Sequence, residues 1–158
     1  MHQPHAPLAA TTLRQSLQAD PRATRVPRPS VFRRDELLGA RFTRYTGGVK
    51  LVSSLDALAV RALIDEGFLE PTSCANPAAP TATVFAHFLE RWAPAARAGG
   101  YARSHRSSDG GVVLDALEVS LAVLPAAARD RAWWEFYEIA VNADGQQERD
   151  GKLVAYWE

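Results

Sequence analysis

The chain is 158 residues long, with 47% hydrophobic and 23% charged residues, proportions that fit one ordinary folded domain and exclude a fibre or a wholly disordered chain. Its longest unbroken apolar runs are a few residues, far short of the ~20 that a membrane helix needs, so no membrane partner is expected. Formal net charge is zero, from 18 basic and 18 acidic groups, but the balance drifts: nine basic against three acidic in residues 1–50, five against six in 51–110, and four against nine in 111–158.

A basic beginning and an acidic end either neutralise each other within the fold or, at a surface, attract and repel phosphate respectively. Sixteen of the 18 basic residues are Arg, whose planar fork suits bidentate contact with carboxylate or phosphate. Cys74 is the single cysteine, which excludes an internal disulfide and an all-cysteine zinc site and suits a reducing cytoplasm. The amino terminus has no basic stretch followed by a continuous apolar run, so no secretory signal is expected and the localisation is read as cytoplasmic.

Residues 1–29 hold five prolines and no glycine and are expected to form a Pro/Arg-rich arm, partly disordered, ahead of one globular domain at 30–158. Leu8, Leu13 and Leu17 permit a weak helix capped by Thr11 or Thr12, and Asp20-Pro21 stops it. Ser30 is placed to cap a short helix through Leu38, with Gly39 as its stop.

Phe42 to Val52 alternates on both sides of Gly47-Gly48, and a Gly-Gly pair supplies the positive φ that a two-residue hairpin requires. That register sets Tyr45 opposite Lys50 and Arg44 opposite Leu51. The clearest helix is Ser54 to Glu66: Ser53 or Ser54 caps it, Asp56 complements the dipole, and Leu55, Leu58, Ala62 and Leu63 form its apolar stripe. Gly67 ends it. After a proline-dotted loop, a second helix runs from Thr81 to about Trp92 with Val84, Phe85, Phe88, Leu89 and Trp92 on one side, bounded by Pro94.

Tyr101–Arg106 and Val112–Val119 flank Ser107-Ser-Asp-Gly-Gly111 as a second hairpin. Pro125 opens a third helix in which Trp133, Phe136, Tyr137 and Ala140 recur at helical spacing. A strand there would place Glu135 on the apolar face, so helix is preferred. Turns at Asp144-Gly145 and Asp150-Gly151 precede a last strand, Lys152 to Trp157. The expected fold is α+β: about three main helices packed on a small, mainly antiparallel sheet of four to five strands, with no internal repeat.

Several chemistries are poorly served. The two central helices are too far apart for a helix-turn-helix, and the glycine pairs at 47–48, 99–100 and 110–111 lack the Lys-Ser/Thr of a phosphate loop. His2, His5, His87 and His105 show no metal-ligand spacing, so no metal and no cofactor is expected.

The densest polar cluster is Arg103 to Asp109. Arg103, His105 and Asp109 are the candidate catalytic set, with a solvated hairpin tip as the plain alternative. Candidate contacts to a partner or to phosphate are Arg22, Arg25, Arg28, Arg33 and Arg34 on the basic segment, Arg103 and Arg106 on the hairpin, and Trp134, which lies beside the buried stripe of its helix. The leading reading is a small non-catalytic binding or adaptor protein using the Arg-rich arm and an aromatic edge, with a protein partner or a second copy of itself. Phosphate or nucleic-acid binding is the alternative, and an enzyme is the third.

Overall fold

The computed structural model describes residues 31–46, 49–103 and 111–158. Residues 1–30, Gly47-Gly48 and Ser104–Gly110 lie outside them, and with them the expected arm, the Ser30 cap and the last three residues of the expected strand Tyr101–Arg106. Four helices and six strands follow in the order α1 (Val31–Leu38), β1 (Phe42–Thr46), β2 (Val49–Leu55), α2 (Ala57–Asp65), α3 (Ala82–Arg91), β3 (Ala96–Arg103), β4 (Val112–Ser120), α4 (Ala126–Ile139), β5 (Gly145–Arg149) and β6 (Lys152–Tyr156). The fold is α+β, with an entirely antiparallel sheet in the order β1-β2-β3-β4-β6-β5.

The first hairpin has the register read from the alternation, Arg44 opposite Leu51 and Tyr45 opposite Lys50. Gly39 takes φ +50°, which ends α1 at Leu38 and turns the chain into a short 3-10 turn over Gly39–Arg41. Thr81 caps α3 by accepting from Val84 N at 3.4 Å, and α4 begins directly after Pro125.

Five features differ from the sequence reading. The cap of α2 is Asp56, whose Oδ1 accepts from Ala59 N at 2.8 Å, not Ser53 or Ser54. Those two serines belong to β2, which runs on to Leu55. Leu58 lies 82% exposed, while Val60 and Leu63 carry the buried stripe of α2; at roughly 100° per residue Leu58 stands on nearly the opposite side of the helix from these two. Val84, expected on the buried side of α3, is likewise exposed.

Gly145-Gln-Gln-Glu-Arg149 is a sixth strand. It contains no apolar residue, so no alternation announces it, yet it pairs with β6 along its full length. Asp150 and Gly151, at φ +54° and +73°, join the two strands in the left-handed two-residue turn typical of a tight hairpin. Finally, β3 begins at Ala96, five residues before the expected start, because small residues (Ala96, Ala98, Gly99, Gly100) build its first half.

Alternation along β3 divides the sheet into two faces. Ala96, Ala98, Gly100 and Ala102 are buried against the helices, and Arg97, Gly99, Tyr101 and Arg103 stand half-exposed on the other face. One apolar cluster fills the helix side. Phe85 and Trp157 meet edge to face at 5.7 Å, and Phe88 meets Phe136 at 6.4 Å, so α3 binds both the residue that follows β6 and α4. Fully burying side chains of this size stabilises the fold by about 1.5–3 kcal/mol each. Among the described residues, no helix is long and apolar enough to cross a membrane.

Candidate binding surface

Of the sequence-selected arginines, Arg33, Arg34 and Arg103 lie among the described residues. Arg22, Arg25 and Arg28, with the rest of the arm, lie outside the described residues, as do His105, Arg106 and Asp109. Of the candidate catalytic set only Arg103 is therefore placed. It stands at the end of β3, beside Glu70, Ser73 and Cys74 at a recess of about 250 Å³.

Arg33 is half-exposed and already engaged, donating to both carboxylate oxygens of Glu66 at 2.7 and 2.8 Å and to Glu36 at 2.7 Å. Arg34 requires a correction. It is 1% exposed, so it is an interior residue and no surface contact to phosphate. Its guanidinium donates to Asp35 Oδ1 at 2.8 and 3.1 Å and to the carbonyl of Arg103 at 2.6 Å. A buried guanidinium needs such partners, because an unpaired charge away from water costs several kcal/mol. Asp35 also accepts from Lys50 Nζ at 2.7 Å. Burial works to raise the Asp35 carboxyl, but the bonds from Lys50 and Arg34 outweigh it and hold the group below its ordinary range.

Trp134 is placed as its helical position implied, on the outward side of α4 and 64% exposed. It is not loose. Trp133 packs against it edge to face at 5.1 Å, Tyr137 lies 4.3 Å from Trp133, and Phe136, fully buried, meets Tyr137 at 5.4 Å. The rings form a continuous stack from core to surface, and each contact adds about 0.5–1.5 kcal/mol beyond its buried area. An exposed indole braced in this way pays little side-chain entropy when it binds, which is how anchors at protein interfaces behave.

Beside this ridge, α3 and α4 enclose an open groove of about 640 Å³ bordered by His87, Phe88, Arg91, Glu135, Glu138 and Ile139. Glu135 is saturated: it accepts from Trp92 Nε1 at 2.8 Å and Arg131 Nε at 3.1 Å, and lies 3.2 Å from Arg91 Nε. Glu138 differs. It is exposed, sits one turn after Trp134 on the same face, and makes no ion pair among the described residues. Val141, 69% exposed, continues that face by a further turn.

An aromatic ring and a free carboxylate one helical turn apart suit a guanidinium, which can stack on the first and bond to the second. Reading the sequence for apolar stripes identified Trp134 but passed over Glu138; the i, i+4 spacing of the pair was the available signal. Among the described residues, no cluster of His, Cys, Asp and Glu is arranged to hold a metal ion. No family model, curated protein or solved structure matches the chain.

Proposed function

We propose that this chain is a binding or adaptor protein that takes an arginine-bearing segment of a protein partner on the outward face of α4. The observation that carries the reading is the placement of Trp134, exposed and braced by Trp133, one turn before Glu138, which is exposed and has no ion pair among the described residues. Stacking of a guanidinium on an indole contributes about 0.5–2 kcal/mol, and the carboxylate adds direction. The chain carries such segments itself: Pro21-Arg-Ala-Thr-Arg-Val-Pro-Arg-Pro-Ser30 holds Arg22, Arg25 and Arg28 without a nearby carboxylate beyond Asp20. A second copy is thus one source of the partner.

The test is fluorescence anisotropy of a labelled peptide with that ten-residue sequence against the full chain, with indole fluorescence read in parallel. Saturable binding is expected. It should weaken about 3- to 30-fold in Trp134→Ala and fall further when the peptide arginines are replaced by citrulline. Binding unchanged in Trp134→Ala and Glu138→Gln would remove the reading. Salt-sensitive binding of labelled random DNA or RNA, indifferent to Trp134, would put nucleic acid in its place.

A further inference from the structure

On the sheet face away from the helices, two irregularities meet. The β2–β3 register slips between Val52 and Leu55, and the β3–β4 register slips where Gly99 faces Ala116 and Gly100 faces Leu114, leaving Asp115 as the extra residue of β4. Facing bulges break the pleat and open a cleft of about 290 Å³, lined among others by Leu51, Ser53, Ser54, Gly99, Asp115 and Val154. Bulges recur beside functional sites because they redirect side chains that regular strands would alternate.

Three details single this cleft out. Its floor is bare backbone: a Cβ on Gly99 would come 3.3 Å from Ala116 Cβ and 3.4 Å from the Val52 carbonyl. Ser54 holds φ +57°, a left-handed conformation that a non-glycine residue adopts at a cost of about 1–3 kcal/mol and that clusters at ligand sites. Asp115 is half-buried with no cation in reach among the described residues. The charge that acts on it, Glu158, is itself acidic; Glu118, which also lines the cleft, is engaged by Lys152 at 3.4 Å, and Arg97 across from Glu118 donates to the carbonyls of Pro94 and Ala96. Burial foremost, with Glu158 adding to it against the pull of the residue's own backbone N–H, pushes the Asp115 carboxyl up to about 6. The group is therefore an anion at neutral pH, in a low-dielectric recess that supplies no counter-ion.

We propose that the cleft between the two bulges binds a small organic cation, a primary ammonium or guanidinium on a short aliphatic body, with the Asp115 carboxylate as its counter-ion and the Ser53 and Ser54 hydroxyls as acceptors. Leu51 and Val154 supply apolar contact for the aliphatic part, and the bare floor sets the size limit. Anions are repelled by Asp115, Glu118 and Glu158. The site lies across the sheet from Trp134, so it is independent of the peptide-binding surface.

The experiment is a titration of the full chain with butylammonium and butylguanidinium, followed by amide chemical shifts, with 1-pentanol as the neutral control. At pH 7.5, saturable shifts centred on Ser53, Gly99, Gly100 and Ala116 are expected for at least one cation and none for the alcohol. At pH 5 the affinity should drop about tenfold, since a carboxyl titrating near 6 is then roughly nine-tenths protonated. Asp115→Asn should abolish binding. It removes a charge the fold does not pair, so it should keep the native spectrum. Ala116→Leu, which fills the floor and leaves the carboxylate in place, should abolish binding as well. No saturable shift with either cation, equal binding by the alcohol, or binding that survives either substitution overturns the proposal.

Discussion

Arg34 Nη1 donates to the carbonyl of Arg103 at 2.6 Å, across 69 positions of the chain. The bond anchors α1, at the edge of the described structure, to the end of a central strand, and it explains how an arginine comes to be 1% exposed. Replacing Arg34 with Met should therefore cost about 2–4 kcal/mol, because the Arg103 carbonyl and the Asp35 carboxylate both lose a charged donor. Lysine should restore little, having a point charge where the site uses a fork. Urea denaturation monitored by indole fluorescence reads both values.

Gly100 is the least replaceable residue of β3. A Cβ there would stand 1.9 Å from the Val113 carbonyl oxygen, so Gly100→Ala should force β3 and β4 apart at a cost of about 3 kcal/mol or more. Gly99→Ala meets its nearest neighbour at 3.3 Å and should cost about 1 kcal/mol or less. The order of the two melting temperatures is the measurement, and equal values would contradict the register at the bulge.

On α2 one member of the expected stripe, Leu58, stands at the surface, while Leu63 is in the core. Leu58→Gln should change stability by no more than about 0.5 kcal/mol, as an 82% exposed side chain has little to lose. Leu63→Ala, at 1% exposure, should cost about 2–5 kcal/mol. Asp56→Ala should cost about 1 kcal/mol through loss of the cap, and Ser53→Ala should not.

The carboxyl of Asp115 titrates higher in the fold than the 3.8 of an unstructured chain, at about 6. A raised folded value favours the folded state fully below the unfolded pKa, and that contribution is lost as pH rises through about 6. The groups around Asp115 do not offset this: Glu158 and Glu118 are acidic, Lys152 is engaged by Glu118, Arg97 of β3 donates to the carbonyls of Pro94 and Ala96, and the cleft lining from β2 and β3 carries no charge. Asp115→Asn should accordingly stabilise the protein by about 1–2 kcal/mol at pH 7.5 and leave it unchanged near pH 3.5. Asp35 and Glu66 act with the opposite sign. Their carboxyls are held low in the fold, so what they contribute is present above the ordinary carboxylate range and is lost as pH falls through their depressed values. Thermal melts across this range separate the two effects.

Local chemistry made the elements legible where backbone demands and side-chain pattern agree. Gly39, Thr81 and Pro125 mark helix ends by φ, cap and ring geometry that need no distant partner. The alternation around Gly47-Gly48 set the register of β1 and β2. Trp134 was readable as an outward residue because it lies off the stripe through Phe136 and Ala140. Where the pattern is weak, the reading failed for a definite reason. An all-polar edge strand at Gly145–Arg149 has no apolar face to show, and α2 carries apolar residues all round, so a stripe through Leu55 and Leu58 competes with the one through Val60 and Leu63 that the core takes.

The sequence by itself thus determined the α+β class, the order of most elements, the first hairpin's register and the aromatic character of α4, all consequences of short-range sterics and apolar periodicity. Only the tertiary structure decided which charges are solvated and which are spent inside the fold. Arg34 and Trp134 were both read as surface contacts, yet one is sealed against Arg103 and the other stands in water. The cleft at Asp115 depends on two bulges meeting across three strands, and a slip of register between distant segments leaves no mark on either segment alone.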